Sequence, residues 1–413
     1  MLPQAPDDTD RLYLDNAATS FPKAPGVYEA MLDYGRRIGA SPGRGAYAES
    51  RQGSAVILRC RERLARLLDA ETPDRIVFTL NTTDALNTAI QGLVAHHRRT
   101  RPGAPIRIIT SAMDHNSVLR PLNMLRRDGV SWCALPADPA TGLIDPADFA
   151  RAINPETALV ALVHASNVTG CIQPIDHVGR LCREQGVPFL VDAAQSLGHV
   201  PINVRECGID LLAFPGHKGL LGPLGTGGLY IRPGVEGLID PYRQGGTGSQ
   251  SEQDTHPDVM PSRYECGSHN TVGIAGLSRA VEWILEHGVA SLRAHETELI
   301  NAMLAGLEGL APLGYRLIGS APSTCRVATF SVTHDTISPH ELAMEMERRD
   351  GLLVRAGIHC APRAHETMGT IDRGGGARIS FGAFNTLEHV HRTLACLEAI
   401  GRDLAIPVRS AAR

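Results

Sequence analysis

From about residue 75 onward, short apolar runs alternate with longer amphipathic ones. Residues 75–79, 106–110, 157–164, 187–192, 209–214 and 227–231 read as strands, being short, apolar and bounded by turn formers. Between them, 83–95, 116–127 and 176–185 carry apolar residues at helical spacing, with Thr82 or Thr83 a plausible cap for the first. Strand–helix alternation predicts βαβ units and a mostly parallel sheet covered by helices. Ligands of such sheets collect at the carboxyl ends of the strands. The chemically informative residues fall there: Thr82 and Thr83, Asp114 and His115, Asn167, Asp192 and Gln195, and Lys218.

After residue 235 the texture changes. A Gly/Ser/Gln-rich loop, 244–253, leads to long helical patterns at 271–287 and 289–310. Strands at 326–332, 352–355 and 377–380 follow, with helices at 339–349 and 387–400, which predicts an α+β region. Two domains are expected: a large one over 20–265, and a smaller one made of 1–19 plus 266–413. A length of 413 residues suffices for both.

Composition narrows the partners. Forty basic against 44 acidic residues give a net charge of −4, which favours neither nucleic acid nor an anionic membrane. Apolar runs are strand-sized, and the acidic start MLPQAPDDTDR lacks the apolar stretch of a secretory signal. Nine scattered cysteines, without a CxxC pair or a Cys/His cluster, fit a reducing cytoplasm and argue against zinc or a disulfide framework.

Lys218 lies between the apolar run 211–214 and a loop rich in glycine and proline, AFPGHKGLLGPLGTGG. Partial burial there lowers an amine's pKa, and a neutral amine condenses with a carbonyl, as a Schiff-base lysine for pyridoxal phosphate must. Asp192 ends VPFLVD and can pair with a protonated pyridine nitrogen; alone it reads more readily as a helix cap, and its spacing before the GHK lysine favours the cofactor reading. Gln195 can donate to a ring phenolate. Thr82 and Thr83 open a helix whose free N–H groups suit a phosphate or serve as plain caps. No Walker-type or GxGxxG loop implies a nucleotide. His115 can stack on an aromatic ring or be structural, and Asn167 can bond a ring oxygen, a carboxylate or its own turn. Arg378 can clamp a carboxylate, with Arg355 a second candidate. Cys360, in VRAGIHCAP with Arg355 and His359 nearby, is the best candidate nucleophile.

In order and spacing, YLDNAAT (13–19), NTTDALN, MDHNSV, SNVTGCIQPI, VDAAQS, GHK, RAGIHC and ARISFGAFNT resemble the class V aminotransferase family of pyridoxal-phosphate enzymes. Within it they resemble the branch of cysteine desulfurases and selenocysteine lyases, in its group II-like form. The resemblance covers nearly the whole chain. It implies the fold-type I architecture, with a seven-stranded, mostly parallel sheet, and a homodimer with its active sites at the interface. By position, Lys218 resembles the Schiff-base lysine, Asp192 the pyridinium partner, Gln195 the phenolate contact and His115 the stacking imidazole. Thr82, Thr83 and His217 fall at phosphate contacts. Ser268 stands where the family usually has a threonine reaching the partner subunit's phosphate. Arg378, assisted by Asn167 and Arg355, resembles the substrate carboxylate site, and Cys360 the persulfide-forming cysteine. The implied reaction takes L-cysteine to L-alanine and leaves sulfur on Cys360 for an acceptor protein. The alternatives are a selenocysteine lyase, another enzyme of the family that does not use Cys360 (a β-eliminating lyase, epimerase or aminotransferase), and a non-catalytic sulfur-relay scaffold. Two departures stand out. Pro215 replaces a common serine two residues before the GHK histidine, and the segment from Cys360 to Arg378 is longer than usual.

Overall fold

The computed structural model describes residues 11–43, 45–250 and 252–405. Strand β1 (Leu12–Tyr13) opens the described chain. A seven-stranded sheet follows: β2 (Ile76–Thr79), β3 (Arg107–Ser111), β4 (Ser131–Leu135), β5 (Thr157–Val163), β6 (Phe189–Asp192), β7 (Leu211–Pro215) and β8 (Gly227–Ile231). Its order is β2-β8-β7-β6-β5-β3-β4. Only β8 runs against its neighbours, β2 and β7. The expected α/β architecture with a mostly parallel seven-stranded sheet is therefore present.

The period of two in the strands explains the layering. Val160 and Leu162 of β5 join Ile109, Val191 and Leu212 in a core on one face, while Leu159 and Ala161 join Ile108, Leu190 and Leu211 on the other. All seven residues of β5 are buried, as a strand covered by helices on both faces requires.

A second sheet is antiparallel: β9 (Tyr315–Ile318), β10 (Thr329–His334), β12 (Arg355–Gly357) and β13 (Gly376–Ser380), in the order β12-β13-β10-β9. Between them in sequence, β11 (Leu352–Leu353) pairs in parallel with β1. Leu12 and Leu14 thereby enter the core of the C-terminal part, with Phe330, Ile379 and Leu397.

Several elements depart from the pattern-based expectation. The edge strand β4, SWCAL, was not expected; it is short, mixed in polarity and paired only with β3. The helix Ala48–Leu68 was not expected either. Five arginines mask its buried stripe of Ile57, Cys60, Leu64 and Leu68. One of them, Arg61, is itself buried against Glu265. The strand expected at 352–355 divides at Val354, because its two halves pair with different partners. The one expected at 326–332 begins at Thr329, because Arg326 turns its guanidinium inward onto the carbonyls of Gly319, Thr169 and Thr329. The cap of the helix Thr82–Thr100 is Asn81, not either threonine; its Oδ1 accepts from Asp84 N at 3.0 Å. Residues 1–10 and 406–413 of the expected small domain lie outside the described residues.

Candidate active site

The carboxyl ends of β2, β3, β5, β6 and β7 converge on a cavity of about 310 Å³. Each end delivers the residue the sequence singled out. Thr82 and Thr83 come after β2, joined by Asn81, which was not singled out; His115 comes after β3, Asn167 after β5, Asp192 and Gln195 after β6, and His217 and Lys218 after β7.

The loop that presents Lys218 is fixed from two sides. Gly216 N donates to Thr226 O, and Leu221 N to Lys218 O, both at 2.8 Å. A Cβ on Gly216 would sit 2.1 Å from Thr226 Oγ1, so this approach requires glycine. From the N-terminal segment, Ser20 N, Thr19 Oγ1, Ser20 Oγ and Lys23 Nζ all lie 2.9–3.1 Å from the His217 carbonyl. Lys23 was not singled out by the sequence. Burial pushes its amine down to about 8.

Lys218 Nζ has no hydrogen-bond or ion-pair partner among the described residues. Burial lowers its pKa to about 8; Asp192 opposes the shift, and Arg378 and Arg355 add to it. Asp192 is 2 % exposed and moves the other way, up to about 6, again through burial, with the Ala194 N–H and Lys218 opposing. No helix follows β6, so Asp192 caps none: one of its oxygens accepts from Ala194 N at 3.0 Å within a turn, and the other is free. His115 accepts from Ser117 N at 3.1 Å through Nδ1. Burial, reinforced by Lys218, pushes it down to about 4, so it is a neutral ring near pH 7. Asp114 beside it is fully buried, held by Thr110 and Ser111, and pushed up to about 7 by burial.

The other candidates distribute less simply. Gln195 Nε2 donates to Ala17 O at 2.9 Å. Asn167 Nδ2 donates to His359 O at 2.6 Å. Arg378, on β13, lies behind the cavity wall: it donates to Asn167 O at 3.3 Å and pairs with Asp15 at 2.7 Å. Arg355 is exposed on β12, directly across from Arg378 in the strand register. Asp15 was not singled out, and its pairing bridges 363 positions, beyond any local signal. Ser268 is exposed and outside the Lys218 cavity, in a separate depression with Arg243 and Cys266.

Among the nine free cysteines only Cys360 is exposed. His359 and Cys360 both take left-handed backbone angles, with φ of 53° and 57°, an unusual pair for non-glycine residues. Hydrogen bonds hold the turn at the cavity rim. Cys360 O accepts from Asn116 N at 2.8 Å, next to His115, and His359 O is held by Asn167. The helix Pro362–Thr367 then places Arg363 over the Trp132 ring, 5.0 Å from its centroid.

The cavity's chemistry matches pyridoxal phosphate. His217 Nδ1 and Asn167 Oδ1 are buried without partners among the described residues. The N–H groups of Thr82 and Thr83 have no acceptor within their own helix, because Asn81 caps Asp84 instead. A phosphate at that helix end and His217, a flat ring beside neutral His115, and a ring N–H toward the free Asp192 oxygen would use the His217 nitrogen, the helix N–H groups and that oxygen. Pro215 lines the cavity and offers no N–H or hydroxyl, so this position supplies no phosphate donor. Among the described residues no cluster of three or more His, Cys, Asp or Glu is placed to hold a metal, and no helix is long and apolar enough to cross a membrane.

The family model described as aminotransferase class-V matches residues 12–393. A probable cysteine desulfurase of Methanothermobacter thermautotrophicus is 33% identical over 396 residues, covering 95% of both chains. A protein named cysteine desulfurase IscS from Dictyoglomus turgidum is 30% identical over 403 residues, 94% of each. Among solved structures, the apo cysteine desulfurase of Thermococcus onnurineus NA1 superposes with a TM-score of 0.85 at 30% identity, covering 95% of each chain. The cysteine desulfurase CsdA of Escherichia coli, in an S-sulfonic acid form, gives 0.82 at 27% identity, again over 95% of each.

Proposed function

The chain belongs to the aminotransferase class-V family, and on that premise we propose that it is a pyridoxal-phosphate-dependent cysteine desulfurase that moves sulfur from L-cysteine to Cys360. The observation that carries the reading is one juxtaposition. An unpartnered, largely buried Lys218 and the half-free Asp192 share a cavity at whose rim the exposed Cys360 is fixed.

Pyridoxal phosphate bound there would supply a carbonyl that captures amines and a ring that accepts electron density from the substrate's Cα. Thr82, Thr83 and His217 would hold its phosphate, Asp192 its ring nitrogen, Gln195 and Asn167 its ring oxygen, and His115 its face. The protein's own part is proton and sulfur handling. With a pKa near 8, Lys218 is neutral in a usable fraction of molecules near pH 7–8 and takes the Cα proton. Arg378, with Asn167 and Arg355, binds the substrate carboxylate. Its unpartnered Nε supports that role. The Cys360 thiolate attacks the substrate sulfur. An S–S bond forms, the Cβ–S bond breaks, its electron pair stays with the substrate carbon, and that carbon takes up a proton. Cysteine plus thiol thus becomes alanine plus persulfide, with no external oxidant or reductant.

The proposal includes a homodimer. Exposed Phe21, Tyr28, Leu32 and Leu224 supply apolar surface for it. It includes a large domain over 20–265 and a small one over the rest, with Ser268 serving the partner's site. It also includes a cytoplasmic location and a protein acceptor for the sulfur. The test is product analysis of the loaded protein with L-cysteine and with L-selenocysteine, for wild type and Cys360→Ala. Wild type is expected to form alanine from cysteine and Cys360→Ala to lose it. Alanine from cysteine at the wild-type rate in Cys360→Ala would discard the persulfide route. Pyruvate and ammonia would indicate β-elimination, and activity on selenocysteine alone would indicate a selenocysteine lyase.

A further inference from the structure

Lys218 borders a second, much smaller cavity of about 20 Å³, which shares no other lining residue with the first. That is room for one water. Its walls include Asn16, Ser20, Gly219, His199, His295 and Glu296. His199 and Glu296 form a carboxylate–imidazole pair, with Nδ1 3.0 Å from Oε1. Glu296 is buried and held as a carboxylate. Its Oε1 also accepts from Ala328 N at 2.9 Å, and its Oε2 from Arg293 at 2.7 Å. Burial works against its ionisation, but His199, Arg293 and the Ala328 N–H outweigh it and leave its pKa lowered.

A carboxylate on Nδ1 fixes the proton there and leaves Nε2 as the acceptor. That edge of the ring packs against the backbone of the lysine loop. A Cβ on Gly219 would lie 2.9 Å from His199 Nε2 and 2.5 Å from Cδ2. The basic nitrogen therefore lies close against the residue that follows Lys218, in a cavity that Lys218 also lines. His295 makes no competing claim, since its Nε2 is taken by Asn385 O at 2.9 Å.

We propose that Glu296 and His199 form a proton relay to Lys218, working through a single water in the small cavity. The proton leaves Lys218 Nζ for the water, and a water proton passes to His199 Nε2. Glu296 stabilises the resulting imidazolium, and the lysine is left with its lone pair. Both residues act on the chemistry only through Lys218 and are positioning residues. The charged and titratable groups facing His199 are Glu296, Lys218 and His295, with Arg293 neutralising the far side of Glu296. The inference rests on the reading of Lys218 as the base.

Two readouts separate the relay from that reading. The first uses the loaded enzyme turning over L-cysteine in D2O. His199→Gln should lower kcat about tenfold or more with KM unchanged, and the alanine formed should retain more protium at Cα than wild-type alanine. The second follows the His199 proton resonance of the full chain before cofactor is added, assigned by its loss in His199→Gln. At pH 7 it should shift in Lys218→Met, where a neighbouring positive charge is gone, and in Glu296→Gln, where the carboxylate partner of Nδ1 is gone. Wild-type kcat and isotope content in His199→Gln, or a His199 resonance indifferent to Lys218→Met, would overturn the relay. A wild-type protein that makes no alanine fails the desulfurase reading instead, and the resonance shift still decides the relay.

Discussion

Replacing Lys218 by methionine should stabilise the cofactor-free protein, although it removes the central residue of the site. Lys218 falls from 10.5 to about 8 because the folded protein withholds water from its ammonium. A drop of 2.5 units, at 1.36 kcal/mol each, is about 3 kcal/mol of destabilisation while the amine is charged in both states. The sign follows from proton counts. Below pH 8 the folded and unfolded chains both carry the proton, and the full cost of about 3 kcal/mol is present. Between 8 and 10.5 only the unfolded chain binds it, so stability rises with pH and the cost falls to about 1 kcal/mol at pH 10. Urea denaturation of wild type and Lys218→Met at pH 7 and pH 10, followed by the fluorescence of the two tryptophans, measures this. The variant should be more stable at pH 7 by up to about 3 kcal/mol, with the gap closing at pH 10. A gap that does not depend on pH, or a variant less stable at pH 7, would refute the claim that Lys218 is held as a strained ammonium.

The remaining predictions concern the groups around it. Arg378→Lys should raise KM for L-cysteine roughly tenfold or more, since a charged hydrogen bond is worth roughly 1.5–3 kcal/mol and lysine cannot make the bidentate pair; an unchanged KM would remove Arg378 from the substrate site. Asp192→Asn should lower kcat on the order of a hundredfold while Cys360 still reacts with iodoacetamide at the wild-type rate, and a wild-type kcat would contradict its role at the ring nitrogen. Glu265→Gln should cost roughly 3–5 kcal/mol, seen as a lower thermal midpoint, because it leaves Arg61 buried without its partner at 2.5 Å. The same change at the exposed Glu398, paired with Arg402, should shift the midpoint little.

What was legible in the sequence follows physical range. The β5 run TALVALV and the strand-end residues Asp192 and His115 are local signals, because a buried strand and the loop after it are contiguous in the chain. The identity of the helix cap was misjudged, since Asn81 and the two threonines are all capable residues and only the first-turn geometry selects among them. The helix Ala48–Leu68 was hidden because its arginines dilute the apolar stripe, and Arg61 points inward against its type. Asp15 on Arg378 and Glu296 on His199 join segments far apart in sequence, and no periodicity announces such pairs. Cys360 was singled out from its neighbours, but its place at the rim depends on Asn116 and Asn167, which only the folded chain brings there.

The central claim is that sulfur passes from the substrate to Cys360 within the Lys218 cavity. Its most direct test is a single turnover of the loaded protein with a limiting amount of L-cysteine, with alanine counted and the persulfide mapped by peptide mass spectrometry. The account predicts one persulfide on Cys360 for each alanine and none on the other eight cysteines. Alanine without a Cys360 persulfide, or a persulfide mapped elsewhere, would contradict it.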